Sequence, residues 1–97
     1  MKTIGLIGGT SWVSSLEYYR QINLLTNQKL GGEDFAKCIL LSVNYGEIER
    51  LKRTDDVNGI FNILKTAANN LVAAGADCIA IGANTLHSFA NRLERKS

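Results

Sequence analysis

Three short apolar runs, each breaking off at polar or glycine residues before a helical period begins, constrain this chain more than any other feature. Thr3–Gly8 (TIGLIG), Lys37–Val43 (KCILLSV) and Asp77–Gly82 (DCIAIG) are nearly all apolar, as strands are when both faces of a sheet are covered. After the first run, Trp12, Leu16, Tyr19, Ile22 and Leu25 recur at helical spacing, with Glu17, Arg20, Gln21 and Gln28 facing away. Thr10 or Ser11 is the natural N-cap of that helix, and Gly31-Gly32 its natural stop. After the second run, Asn44-Tyr45-Gly46 reads as a turn and Glu47–Arg53 as a short helix with Ile48 and Leu51 inward. Thr54-Asp55-Asp56 then caps the clearest helix. Its Val57, Ile60, Phe61, Leu64, Ala68, Leu71 and Val72 hold the helical period until Gly75. Leu86 to about Arg95 reads as a final helix, capped by Asn84 or Thr85.

The order β-α-β-α-β-α predicts an α/β fold: a three-layer arrangement around a parallel sheet with right-handed crossovers, most simply in strand order 2-1-3. Cys38 and Cys78 then fall on the two outer strands. Neighbouring strands are about 4.8 Å apart, so roughly twice that distance separates the thiols, too far for a disulfide. Both are expected to be buried free thiols, which fits a reducing cytoplasm. The third strand is left with an open edge, and open edges invite another chain, so a partner or a further strand is expected.

Ninety-seven residues allow one domain with a single core. A net charge of +2 gives no basic face for nucleic acid, and the Arg92, Arg95, Lys96 cluster suits the negative end of a helix dipole. No apolar run reaches the roughly 18 residues of a membrane span.

In open parallel sheets, ligands gather at the carboxyl ends of the strands. Two such ends carry polar residues placed to bind: Gly8-Gly9-Thr10-Ser11 after the first strand and Ala83-Asn84-Thr85-Leu86-His87 after the third. The glycine cluster matches neither the dinucleotide nor the P-loop fingerprint, and Ser42 and Asn44 stand where an acidic ribose ligand belongs. Backbone N–H groups at a helix start still bind a small anion such as a carboxylate, although the glycines also serve simply to bring strand and helix together. Asn84 and Thr85 offer an amide and a hydroxyl for a carboxylate or amine; helix capping accounts for one of them. Arg50 or Arg53 can grip a carboxylate with paired hydrogen bonds, or be a solvated helix cation. His87, the one histidine, has no sequence-adjacent carboxylate to make it a base. No ligand spacing suggests a metal.

These pieces, in order along nearly the whole chain, resemble the aspartate/glutamate racemases. The matching residues are Met1–Trp12 (MKTIGLIGGTSW), Tyr19-Arg20-Gln21-Ile22-Asn23, Leu30-Gly31-Gly32, Ser42-Val43-Asn44-Tyr45, Ala74-Gly75-Ala76-Asp77 and Ala83-Asn84-Thr85-Leu86-His87. The resemblance is to the amino-terminal lobe and implies a cofactor-independent isomerase of amino acids, with the substrate held between two similar lobes. One thiol from each lobe then works on opposite faces of the α-carbon. The resemblance places substrate carboxylates at Thr10, Ser11, Asn84 and Thr85, with Ser42 and Arg50 or Arg53 lining the second strand's end. It also puts the first-lobe thiol at position 83, where this chain has Ala83, whose methyl group neither takes nor gives a proton.

The whole of residues 1–97 is thus expected to be one lobe, cut before its fourth strand, of racemase lineage and inactive alone for want of a base. The small-molecule partner is an amino acid or dicarboxylate, and the macromolecular partner a second copy in a homodimer or a missing second lobe. The alternative is a non-catalytic module that binds such a ligand or only dimerises.

Overall fold

The computed structural model describes residues 1–9 and 11–81, ordered β1 (Thr3–Gly8), α1 (Trp12–Leu30), β2 (Lys37–Ser42), α2 (Tyr45–Arg53), α3 (Val57–Ala73) and β3 (Cys78–Ile81). The sheet of the described residues is parallel with order β2-β1-β3, as the alternation of the sequence requires. Gly8 pairs with Ser42, and Ile7 pairs with both Leu41 and Ile81, so the three strands finish at one edge. The parallel ladder runs one step further, where the Val43 N–H donates to the Gly8 carbonyl at 2.8 Å. The helix expected at Leu86–Arg95, together with Gly82, Ala83, Asn84, Thr85 and His87, lies outside the described residues.

Side-chain alternation along β1 divides the sheet into two faces. Ile7 joins Ile48, Ile60, Leu64, Ala67, Leu71, Ala76 and Ile81 in the core, with Ile39, Leu41, Val43, Leu51 and Ile79 packed around it. This is the α2/α3 face. Gly5 shares it, and a Cβ there would stand 2.9 Å from the Ala76 Cβ and 3.2 Å from the Leu71 Cβ, so glycine lets α3 lie close. Gly8 points the other way, where a Cβ would come 2.5 Å from the Ser15 Oγ of α1. The helices therefore cover opposite faces, as a right-handed crossover to each side of β1 demands.

The α3 period works much as expected, with Ile60, Phe61, Leu64 and Leu71 buried and Ala68 against the core. Its ends do not: Val57 and Val72 are exposed, and Ala67 takes the inward place between Leu64 and Leu71. Asp56 is the N-cap, accepting from the Gly59 N–H at 2.8 Å. Gly75 closes the helix in the left-handed region, at φ 105°. Helix α2 starts earlier than expected. Asn44 is its N-cap and accepts from the Gly46 N–H at 3.0 Å, so the Asn-Tyr-Gly stretch is the helix's first turn rather than a separate one.

Helix α1 departs most from the sequence reading. Trp12, Leu16, Tyr19 and Leu25, expected inward, are exposed, and Ile22 is half-buried. Its one fully buried side chain is Ser15. The physical reason lies in how the helix is attached: polar bonds do it. Asn23 Oδ1 accepts from the Ala36 N–H at 3.1 Å, and Asn27 Nδ2 donates to the carbonyls of Gly32 at 2.9 Å and Asp34 at 3.1 Å. These tie α1 to the connection leading into β2, and among the described residues most of the apolar period stays exposed.

Cys38 and Cys78 both pair in register with Ile4 on β1, one on either side, and both are free thiols. An intervening strand keeps them apart. Burial is less complete than expected: Cys38 is half-buried and Cys78 exposed. Desolvation first, and then the neighbouring Cys78 thiol, push the Cys38 pKa up from its ordinary value.

Candidate functional site

The turn from β1 into α1 is built around a hydroxyl that the sequence reading passed over. Ser15 Oγ accepts from the Gly9 N–H at 2.9 Å and donates to the Ser11 carbonyl at 3.1 Å, while the Ser15 N–H closes the first helical turn on the same carbonyl at 2.9 Å. Ser15 is only 4% exposed, the one buried polar side chain among the described residues. Its signal in the sequence was its place: a small hydroxyl one helical turn beyond the N-cap, facing Gly8-Gly9.

Gly9 is required by the chain's own packing. Its φ is 100°, in the region that disfavours side chains, and a Cβ would overlap the Val43 carbonyl oxygen and lie 2.6 Å from the Ser42 Oγ. The carboxyl ends of β1 and β2 therefore meet backbone to backbone, with the Ser42 hydroxyl beside Gly9. Ser42 itself is exposed at that edge. Ser11 is the N-cap of α1, exposed, its Oγ accepting from the Ser14 N–H at 3.4 Å. Thr10, Asn84 and Thr85, the other expected ligands, lie outside the described residues, as does Ala83.

Arg50 and Arg53 both sit on α2 and are exposed, but in different surroundings. A Cβ on Gly46 would stand 3.4 Å from Arg50 Nη1, so the Arg50 guanidinium folds back over the first turn of α2, next to the end of β2. Glycine at 46 leaves that seat open. Arg53 is associated instead with Tyr45, on the row Tyr45, Glu49, Arg53. The Tyr45 hydroxyl donates to Glu49 Oε2 at 3.0 Å. That hydrogen bond, and then the Glu49 charge, raise the Tyr45 pKa above its ordinary value, against a smaller opposing pull from Arg53. Arg50 thus folds toward the start of α2, the helix that follows β2. The described end of β2 and the start of the two helices after β1 and β2 carry Ser42, Ser11 and Arg50: two hydroxyls and a cation, residue types able to hold an anion.

Among the described residues no cluster of His, Cys, Asp or Glu could hold a metal ion, and no helix is long and apolar enough to cross a membrane.

No protein-family model matches the sequence. Solved structures do. A Yersinia pestis protein, proposed in its name to be an Asp/Glu racemase, superimposes with a TM-score of 0.93 at 44% identity, over 98% of this chain and 41% of its own. An aspartate racemase homologue from Pyrococcus horikoshii OT3 gives 0.88 and 34%, over 99% of this chain and 42% of its own. The chain therefore spans about two-fifths of the length of these relatives, consistent with a single lobe.

Proposed function

From the premise that this chain has the fold and much of the sequence of one lobe of the aspartate/glutamate racemases, we propose that its carboxyl edge is one wall of an amino-acid site in that lineage. The observation that carries this reading is the close approach of Gly9 to the Ser42 hydroxyl at the ends of β1 and β2, within a fold shared at a TM-score of 0.93.

In this proposal the Arg50 guanidinium takes one substrate carboxylate, and Ser42 and Ser11 donate hydroxyl hydrogen bonds to the ligand. Arg53 is a second, more distant cation. Thr10, Asn84 and Thr85 complete the cradle. The complete enzyme would move a proton at the α-carbon of an amino acid by two-base chemistry, without a cofactor. At position 83 this chain has alanine, so its own lobe brings no thiol to that step. Abstraction of a weakly acidic α-proton needs a positioned base. The isolated chain accordingly binds an amino acid or dicarboxylate without racemising it, and a second wall comes from another lobe or another copy. Racemase lineage and present binding are separate claims, because a fold alone does not fix function.

Deuterium exchange at the α-carbon tests the catalytic half. The chain, incubated with L-aspartate or L-glutamate in heavy water, should give no exchange above the protein-free control. Exchange abolished by Arg50→Gln would contradict the proposed inactivity. Calorimetry with the L- and D-forms tests the binding half: measurable heat with a dicarboxylic amino acid supports it, and none at millimolar ligand removes it.

A further inference from the structure

The chain contains one Asn-Gly pair, Asn58-Gly59; every other asparagine precedes a residue that carries a side chain. Glycine in that place leaves its backbone nitrogen unobstructed and its backbone free to turn, so the asparagine side chain can be attacked from within the chain. The pair falls in the first turn of α3, which starts at Val57 and is capped by Asp56. Asn58 is exposed and Gly59 half-buried, so water reaches the side-chain amide.

Two features of the folded turn hold that attack back. The Gly59 N–H donates to Asp56 Oδ1 at 2.8 Å, and the carboxylate lies across the glycine: a Cβ there would stand 2.7 Å from Asp56 Oδ2 and 2.9 Å from its Cγ. Glycine at 59 thus gives the cap its seat, and the same missing side chain makes Asn58 vulnerable once the cap lets go. Helical backbone, with ψ of about −42°, also keeps the Gly59 nitrogen turned away from the Asn58 side-chain carbonyl. Ring closure therefore needs residue 58 to leave the helix. The turn is placed to do so: Asp55 before it sits in the left-handed region at φ 53°, Val57 is 53% exposed, and burial begins only at Ile60. Helix ends with few buried contacts open at far less cost than the whole domain.

We propose that Asn58-Gly59 is a spontaneous deamidation site, locked while Asp56 holds the Gly59 N–H and released when the first turn of α3 opens. In the open turn the Gly59 nitrogen bonds to the Asn58 side-chain carbonyl carbon and gives up its proton. The bond from that carbon to the side-chain nitrogen breaks, and ammonia leaves with the proton. Water then adds to one carbonyl of the cyclic imide and opens it, so the sequence consumes one water and neither an oxidant nor a reductant. Opening at one carbonyl gives aspartate, and at the other isoaspartate. Aspartate at 58 puts a negative charge at the positive end of the helix dipole. Isoaspartate instead lengthens the backbone by a methylene inside the helix that carries Ile60, Phe61 and Leu64 into the core.

Peptide mapping by mass spectrometry of the 97-residue chain, aged in neutral buffer, tests the site and its lock. Asn58 should be the first asparagine to show the mass increase of an amide turned acid, with an isoaspartyl product beside the aspartyl one. The folded chain should react about tenfold or more slowly than the same chain unfolded in urea. Asp56→Ala should raise the folded rate about fivefold, equivalent to about 1 kcal/mol of lost capping. Asp56→Ser keeps a capping oxygen and should stay within about twofold of the parent. In urea, parent and Asp56→Ala should share one rate, because no cap remains to lose. The proposal is overturned if another asparagine loses its amide first, or if folding does not slow the reaction at Asn58. It is overturned equally if Asp56→Ala reacts no faster than the parent, or if its excess rate persists in urea.

Discussion

Replacing Ser15 by alanine tests how the candidate site is built. The substitution removes one oxygen, which serves the Gly9 N–H at 2.9 Å and the Ser11 carbonyl at 3.1 Å. Ser15 is 4% exposed, and Gly9 is buried too, so water does not readily replace the lost acceptor. A buried N–H left without a partner costs about 1–3 kcal/mol, and the second bond a further ~1 kcal/mol. Alanine returns about 0.5 kcal/mol through its better helix propensity. The net loss should be roughly 1.5–3.5 kcal/mol, a large part of the ~5–15 kcal/mol that holds a small domain together. Urea unfolding followed by circular dichroism measures it, and Tm should fall about 4–8 °C for each kcal/mol. Ser15→Thr keeps the hydroxyl and should cost less than Ser15→Ala. Hydrogen exchange at the Gly9 amide should quicken selectively in the alanine variant, because the loss is local before it is global. An alanine variant within about 0.5 kcal/mol of the parent, the usual range for a surface change, with unchanged Gly9 exchange, would show that Ser15 does not organise this turn.

Further expectations follow from the same packing. Gly9→Ala forces a side chain into φ 100° and against the Val43 carbonyl, so it should lose about 2–4 kcal/mol by urea unfolding, from backbone strain and a weakened Val43–Gly8 hydrogen bond. Leu64→Ala removes a side chain with no exposed surface from the α3 core and should cost about 2–5 kcal/mol in the same measurement. Iodoacetamide should label exposed Cys78 before half-buried Cys38, followed by mass spectrometry. Because the folded Cys38 pKa is raised, its contribution to stability is fully present below its ordinary value of 9.0 and is lost as pH rises through the folded pKa. Cys38→Ser should therefore flatten the decline of stability above pH 9.0.

The strands were legible because a parallel sheet covered on both sides writes itself as uninterrupted apolar runs. Thr3–Gly8 matches the expected bounds, β2 stops one residue short at Ser42, and β3 starts one residue late at Cys78. Order 2-1-3 followed from placing β1 centrally, the usual arrangement of a doubly wound sheet. Helix α1 misled because period alone shows which residues share a face, not what that face meets. Trp12, Leu16 and Tyr19 keep the period and stay exposed, while Asn23 and Asn27 make the attachment. Asn44 was read as a turn because asparagine favours turns and N-caps alike, and it is the Ile48 N–H donating to the Asn44 carbonyl at 3.4 Å that shows the chain already entering a helix. Ser15 was missed for a related reason: a serine inside a helix looks solvated until the Gly8-Gly9 backbone is seen packed over it. Of the expected ligands, Ser11 and Ser42 were readable as strand-end residues. That Arg50 turns back over Gly46, at the start of α2, needed the fold.

The central claim is that the strand ends form a cradle for a carboxylate, and an amide-resolved NMR titration with L-aspartate tests it most directly. We expect saturable shifts at Ser11, Ser42 and Gly46, weakened by Arg50→Gln, with α3 amides such as Leu64 unmoved. No shift at millimolar aspartate or glutamate, or shifts confined to residues remote from the ends of β1 and β2, would contradict it.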